Sequence, residues 1–165
     1  MKNFKLIIIV LILATISYSC NNSPERSIGF TNWSDDGVEY KFHLGTDAAV
    51  QVVRDLDKVW SDQDWEGVRA MLSDTAKFYW RNGNVLSVDE FMTQISSDST
   101  GSATWKFNGA FSVDLDPTRG GEHVHAAFSV STKTDSTTVN RDVHERYYII
   151  DGKVVTWHQY SLDVK

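Results

Sequence analysis

The spacing of apolar residues changes once along the chain, and that change separates helices from strands. Val50, Val53, Leu56 and Trp60 recur at steps of three and four, which places one apolar stripe on a helix. Thr46 or Asp47 is positioned to cap its first turn. The polar run "SDQD" interrupts the stripe. Asp62 or Asp64 then restarts it, and Trp65, Val68, Met71 and Leu72 mark a second, shorter helix. "TAKFYWRNG" reads as a strand ending in an Asn-Gly turn. Ser87 and Glu90 have the spacing of a capping box ahead of a third helix, whose apolar side is Phe91, Met92 and Ile95.

Beyond the polar loop "SSDSTGS" the period becomes two. Trp105, Phe107, Phe111, Val113 and Leu115 alternate with polar or small residues, and Gly109 marks a bend or bulge within that strand. Val124, Ala126, Phe128 and Val130 alternate in the next strand. "DPTRGG" and "KTDSTT" are the intervening turns, and Asp151-Gly152 is a two-residue hairpin signal. A short strand is also expected within Val38–Leu44. Helices first and long antiparallel strands afterwards define an α+β domain.

The Asp-Gly turn sets an expected register for the last hairpin. Counting outward, Ile150 faces Lys153, Tyr147 faces Thr156, and Glu145 faces His158. Val143, Glu145, Tyr147 and Ile149 then share a face with Val154, Thr156, His158 and Tyr160. Asp142, His144, Arg146 and Tyr148 share the other with Val155, Trp157 and Gln159. Both faces carry aromatic residues, so composition does not say which looks inward.

The start of the chain has a different character. Two lysines precede the apolar run Leu6–Ile16, and small residues lead to Cys20. This is the layout of a secretory signal, and the run is short of the ~20 residues that span a bilayer. "ISYSC" resembles a bacterial lipobox, which makes Cys20 the lipidated first residue of the mature chain. Residues 1–19 are then the signal peptide, 20–45 a tether and 46–165 the folded domain. Loss of Lys2 and Lys5 takes 16 basic residues to 14 against 22 acidic ones, a net charge of −8. That balance argues against nucleic acid as a partner and leaves membrane attachment to the lipid. Cys20 is the one cysteine, so the exported domain is held by its core alone.

The order helix–helix–strand–helix–strands, with "VWSDQDWEGVRAMLSDTAKFYW" and "YYIIDGKVVTWHQY", resembles the nuclear transport factor 2-like superfamily, in its SnoaL-like polyketide cyclase branch. The resemblance covers about Thr46 to Lys165. It implies a cone: a curved antiparallel sheet wrapped around three N-terminal helices, with a pocket at the open end. It also implies that the acidic residue six places before the hairpin aspartate, here Glu145, points into that pocket. Glu145 and His158 are therefore the catalytic candidates, suited to moving a proton next to a carbonyl or activating water. Phe78, Trp80, Phe107, Phe111, Phe128, Tyr147 and Tyr160 are the expected pocket walls.

Three functions fit the sequence. The leading one is an exported lipoprotein, anchored in the cell envelope at the outer membrane, that binds a small hydrophobic molecule in its cone. The second is a general-base enzyme using Glu145 with His158. The third is a domain that dimerises or binds a partner and fills its cone with its own aromatics. No cofactor is expected. His123, His125 and His144 could meet on one face, but Val124, Ala126 and Phe128 claim the inward phase, and no carboxylate completes a metal site by spacing. The outward set His144, Arg146, Tyr148 and Trp157 is interface-like and suits a homodimer.

Overall fold

The computed structural model describes residues 28–32, 37–80, 82–97, 103–117, 120–133 and 137–164. The signal-like segment, Cys20 and residues 21–27 and 33–36 of the tether lie outside the described residues.

Each helix begins where a side chain can satisfy its free amide groups. Helix α1 (Asp47–Ser61) starts at Thr46, whose hydroxyl accepts from the Ala49 amide at 3.2 Å. Helix α2 (Trp65–Ala70) starts at Asp64, whose Oδ1 accepts from Gly67 at 2.8 Å. Helix α3 (Val88–Ser97) opens with the reciprocal box: Ser87 donates its amide to Glu90 Oε2 at 2.8 Å, and Glu90 returns its own amide to Ser87 Oγ at 3.4 Å. At the surface Asp62 pairs with Lys58 and Asp74 with Arg69.

The sheet has eight strands. In chain order they are β1 (Gly29–Thr31), β2 (Tyr40–Leu44), β3 (Leu72–Tyr79), β4 (Val85–Leu86), β5 (Ala103–Asp114), β6 (Gly121–Lys133), β7 (Thr138–Ile150) and β8 (Lys153–Val164). Their spatial order is β1-β2-β5-β6-β7-β8-β3-β4. All neighbours are antiparallel except β3 and β8, which run parallel. The stretch ahead of Gly45 thus contributes two strands to the sheet. Asp151 and Gly152 both take positive φ, 49° and 71°, as the tight hairpin between β7 and β8 requires.

One face of the sheet holds the helices and the core. Val124, Ala126 and Phe128 of β6 and Val143, Tyr147 and Ile149 of β7 meet Val53 and Leu56 of α1, Val68 of α2 and Phe91 of α3 there. Phe78 and Phe91 stack with centroids 3.8 Å apart. A second anchor joins α1 to the sheet. Glu122 accepts from the Thr46 hydroxyl at 2.8 Å and from Ser112 Oγ at 2.6 Å, and also from the Thr46 amide.

Two bulges decide which side chains reach that core. In β5, Phe107 pairs with Phe128 but Gly109 pairs with Ala127, so Asn108 is an extra residue. In β8, Ile149 pairs with Val154 but Tyr148 pairs with Thr156, so Val155 is extra. Because strand side chains alternate with period two, each added residue sends everything beyond it to the other face.

Candidate functional site

Strand β7 carries Glu145 inward between Val143 and Tyr147. Ala126 is its neighbour on β6, and that small side chain leaves space beside the carboxyl group. The bulge at Val155 brings Gln159 opposite Glu145 and Trp157 opposite Tyr147. Gln159 Nε2 donates to Glu145 Oε1 at 2.9 Å, and the Tyr147 hydroxyl donates to Oε2.

Glu145 is 7% exposed, and among the described residues its hydrogen-bond partners are the neutral Tyr147 and Gln159. Burial raises its pKa from the usual 4.5. The bonds from Gln159 and Tyr147, and the nearby indole of Trp157, hold back part of that rise, while the charge of Asp57 adds to it. Burial also lifts Tyr147 well above 10, followed by the adjacent carboxylate, so its hydroxyl stays a donor. The Trp157 indole N–H is buried and closes no regular hydrogen bond.

These groups form one wall of a cavity of about 380 Å³. Asp57 of α1 lies on another side, its Oδ1 accepting from Trp105 Nε1 at 2.8 Å. Five of the six tryptophans line this space: Trp60, Trp65, Trp80, Trp105 and Trp157. The sixth, Trp33, lies outside the described residues. The volume falls within the range of small-molecule sites, ~300–1,000 Å³, and the composition fits one too: mostly aromatic walls and a few convergent polar groups.

Several expected site residues are elsewhere. His158 is on the outer face, opposite Arg146, and stacks on Tyr79 at 4.1 Å. The added residue at Val155 reverses its phase, so the expected pairing of Glu145 with His158 does not form. Tyr160 is turned outward by the same shift and is 54% exposed. Phe111 is turned outward by the bulge at Asn108; it is 60% exposed and stacks on His125. Phe78 is wholly buried beneath the cavity, and Phe107 packs against Phe128 and Arg54 instead of lining it. Trp80, Phe128 and Tyr147 do line it. Trp157, expected outside, is one of its walls. Asp57, Trp60, Trp65, Trp105 and Gln159 were not among the expected site residues. The stripe of α1 was the available signal for Asp57 and Trp60: Asp57 follows Leu56 directly, and Trp60 ends the stripe.

The outer face also bears His123, His125 and His144. His123 packs on Tyr148 with centroids 4.6 Å apart, and burial with the charge of Arg146 lowers its pKa to about 4. His125 and His158 are lowered by the same two causes. Among the described residues no group of histidine, cysteine and carboxylate side chains is placed to hold a metal. A second hollow of about 460 Å³ lies here, between Tyr40 and Phe42 of β2 and His123, Arg146 and Tyr148 of the sheet. A larger concavity, about 1090 Å³, is an open trough beside α2 that does not reach Glu145. Its Arg69 and Asp74 pair with each other.

The cone arrangement is shared with solved structures. An LEH-like epoxide hydrolase of M. tuberculosis superposes with a TM-score of 0.58 at 16% identity, over 71% of this chain and 84% of that one. An NTF-2 like protein of Burkholderia xenovorans does so with a TM-score of 0.54 at 12% identity, over 72% and 85%. The fold is that of the nuclear transport factor 2-like proteins. A ketosteroid isomerase-like protein of Kribbella flavida shares it as well, with a TM-score of 0.55 at 12% identity, over 74% and 83%. No family model matches the sequence, and no curated protein does either. Nuclear transport factor 2-like structures similar to this chain are named for different activities, a hydrolase and an isomerase among them, so the fold does not choose a reaction.

Proposed function

We propose that this chain binds a small, mainly apolar molecule in the tryptophan-lined cavity, where Glu145 meets the molecule's polar group. The observation that carries the reading is the open space of about 380 Å³ against a buried carboxyl. A domain that only filled its cone would close that space with its own aromatic side chains. The buried Trp157 N–H, close to Glu145 but closing no regular hydrogen bond, is within reach of an incoming group.

The test is a titration of small cyclic alcohols, ketones and amines followed by tryptophan fluorescence. Binding should quench the emission of the native chain. Val143→Trp, which fills the cavity from β7, should abolish the response. A panel without effect on the native protein would overturn the reading.

A second reading keeps the same cavity and adds chemistry. Glu145 shares its oxygens between Tyr147 and Gln159 and has a pKa raised by burial, which suits a group that exchanges a proton with a ligand. His158 has no part in it.

The setting is also our proposal. Cys20 lipidation would tether the domain in the cell envelope, and Cys20→Ala should release it from membranes. The outer face, with Phe111, Tyr160 and Leu162 exposed between neutral histidines, is proposed to meet the same face of a second copy. Phe111→Glu should then yield a monomer in sedimentation.

A further inference from the structure

The walls of the cavity are unusual for a site that takes only neutral, oily molecules. Trp60 stands edge-on to Trp65, with centroids 5.5 Å apart and planes at 81°. It stands at 68° to Trp157, 5.7 Å away, and Tyr147 leans on Trp157 at 5.0 Å. Rings inclined to one another in this way form sides of a box and present several π faces or edges to one volume.

Two carboxyl groups and one guanidinium stand among the described lining residues. Glu145 and Asp57 both line it, and the charge of Asp57 is felt at Glu145 and at Tyr147. Among the described residues the one cationic side chain on the lining, Arg141, is engaged by Asp163 at 3.0 Å. The chain as a whole is acidic, with a net charge of −6.

Donors beside the carboxyl groups are already engaged: Tyr147 and Gln159 donate to Glu145, and Trp105 to Asp57. The remaining carboxylate lone pairs face a ligand as negative charge. A cation sheathed in alkyl groups needs no hydrogen bond; it is held by π faces and by nearby negative charge.

We infer that the cavity is a cage for an organic cation, a tertiary or quaternary ammonium group on a small apolar body. This rests on the ligand-binding reading above and names its ligand class. The tryptophans contact the alkyl groups, and Glu145 and Asp57 balance the charge without direct hydrogen bonds. Burial of the empty carboxyl fits the same picture, because an arriving cation stabilises its ionised form.

The experiment titrates choline, and separately its uncharged isostere 3,3-dimethylbutan-1-ol, into the full chain at about pH 8, read by tryptophan fluorescence and calorimetry. Choline is expected to bind at least about tenfold more tightly than the alcohol. Glu145→Gln and Asp57→Asn should each cut choline's advantage over the alcohol by about fivefold or more. Equal binding of the two, or preference for the alcohol, overturns the cation assignment and leaves the cavity reading standing. If choline, the alcohol and the cyclic panel all fail to bind, the ligand-binding reading falls and the cation assignment with it.

Discussion

Gln159 stands opposite Glu145 across the β7–β8 ladder and donates a 2.9 Å hydrogen bond to its Oε1. This bond is one of the forces that keep part of the carboxyl's acidity in a buried place. Gln159→Leu removes the donor and should move the Glu145 titration to higher pH. His158→Ala should leave it unchanged, because His158 lies on the far side of the sheet. Carbon-detected NMR of the glutamate side chain follows both.

Glu145 also gives stability a pH dependence of known sign. Its folded pKa lies above the ordinary 4.5, so the folded state binds its proton more tightly than the unfolded state. The cost of ionising it is absent below about 4.5 and grows as pH rises toward the folded pKa. Glu145→Gln imitates the protonated acid: its carbonyl accepts from Gln159 and its amide faces Tyr147. The variant should melt about 2–4 °C above the native chain at neutral pH, as expected for about 1 kcal/mol in a protein this size. The gap should close in acid. Thermal melts from acid to neutral pH check this.

His123 acts in the opposite direction. Its folded pKa of about 4 lies below 6.5, so its contribution is fully present above 6.5 and is lost as pH falls toward 4. His123→Phe keeps a ring against Tyr148 and removes that loss. Between pH 6.5 and 4 the variant should gain about 1–2 kcal/mol relative to the native chain, the native ring being partly open to water. Denaturant melts at the two ends of that range give the difference.

The junction at the start of α1 has no room for a side chain at Gly45. A Cβ there would lie 2.1 Å from Ser112 Oγ and 2.4 Å from Glu122 Oε2. Gly45→Ala should therefore cost about 1–3 kcal/mol by crowding the bonds that tie Thr46 to the sheet. Chemical denaturation of the variant measures it. Ser112→Ala loses one of those bonds without the clash and should cost less, about 1 kcal/mol.

The parts of the fold that were readable in the sequence are those decided locally. Thr46, Asp64 and the Ser87–Glu90 box announce helix starts because capping involves residues within one turn. Asp151-Gly152 announces a hairpin because few other pairs tolerate positive φ at both positions. The inward direction of Glu145 came from resemblance to a superfamily, since both faces of its strand are aromatic. The bulges were harder. Gly109 hinted at an irregularity, and nothing in "GKVVTWHQY" marks Val155 as the added residue. A bulge is settled by packing across strands and against the core, here by Trp157 fitting beside Trp60 and Tyr147. That single residue moved His158 and Tyr160 out and brought Trp157 and Gln159 in. The parallel pairing of β3 with β8 joins segments some 80 residues apart, and local pattern carries no trace of it.

The central claim is that the cavity beside Glu145 takes up a small molecule. Its most direct test is the indole proton of Trp157 Nε1, followed by NMR while the cyclic panel and choline are added. The account expects at least one compound to shift that resonance together with the Glu145 carboxyl signal, while His123 and Tyr148 on the outer face stay still. No shift at Trp157 with any compound, or shifts confined to the outer face, would contradict it.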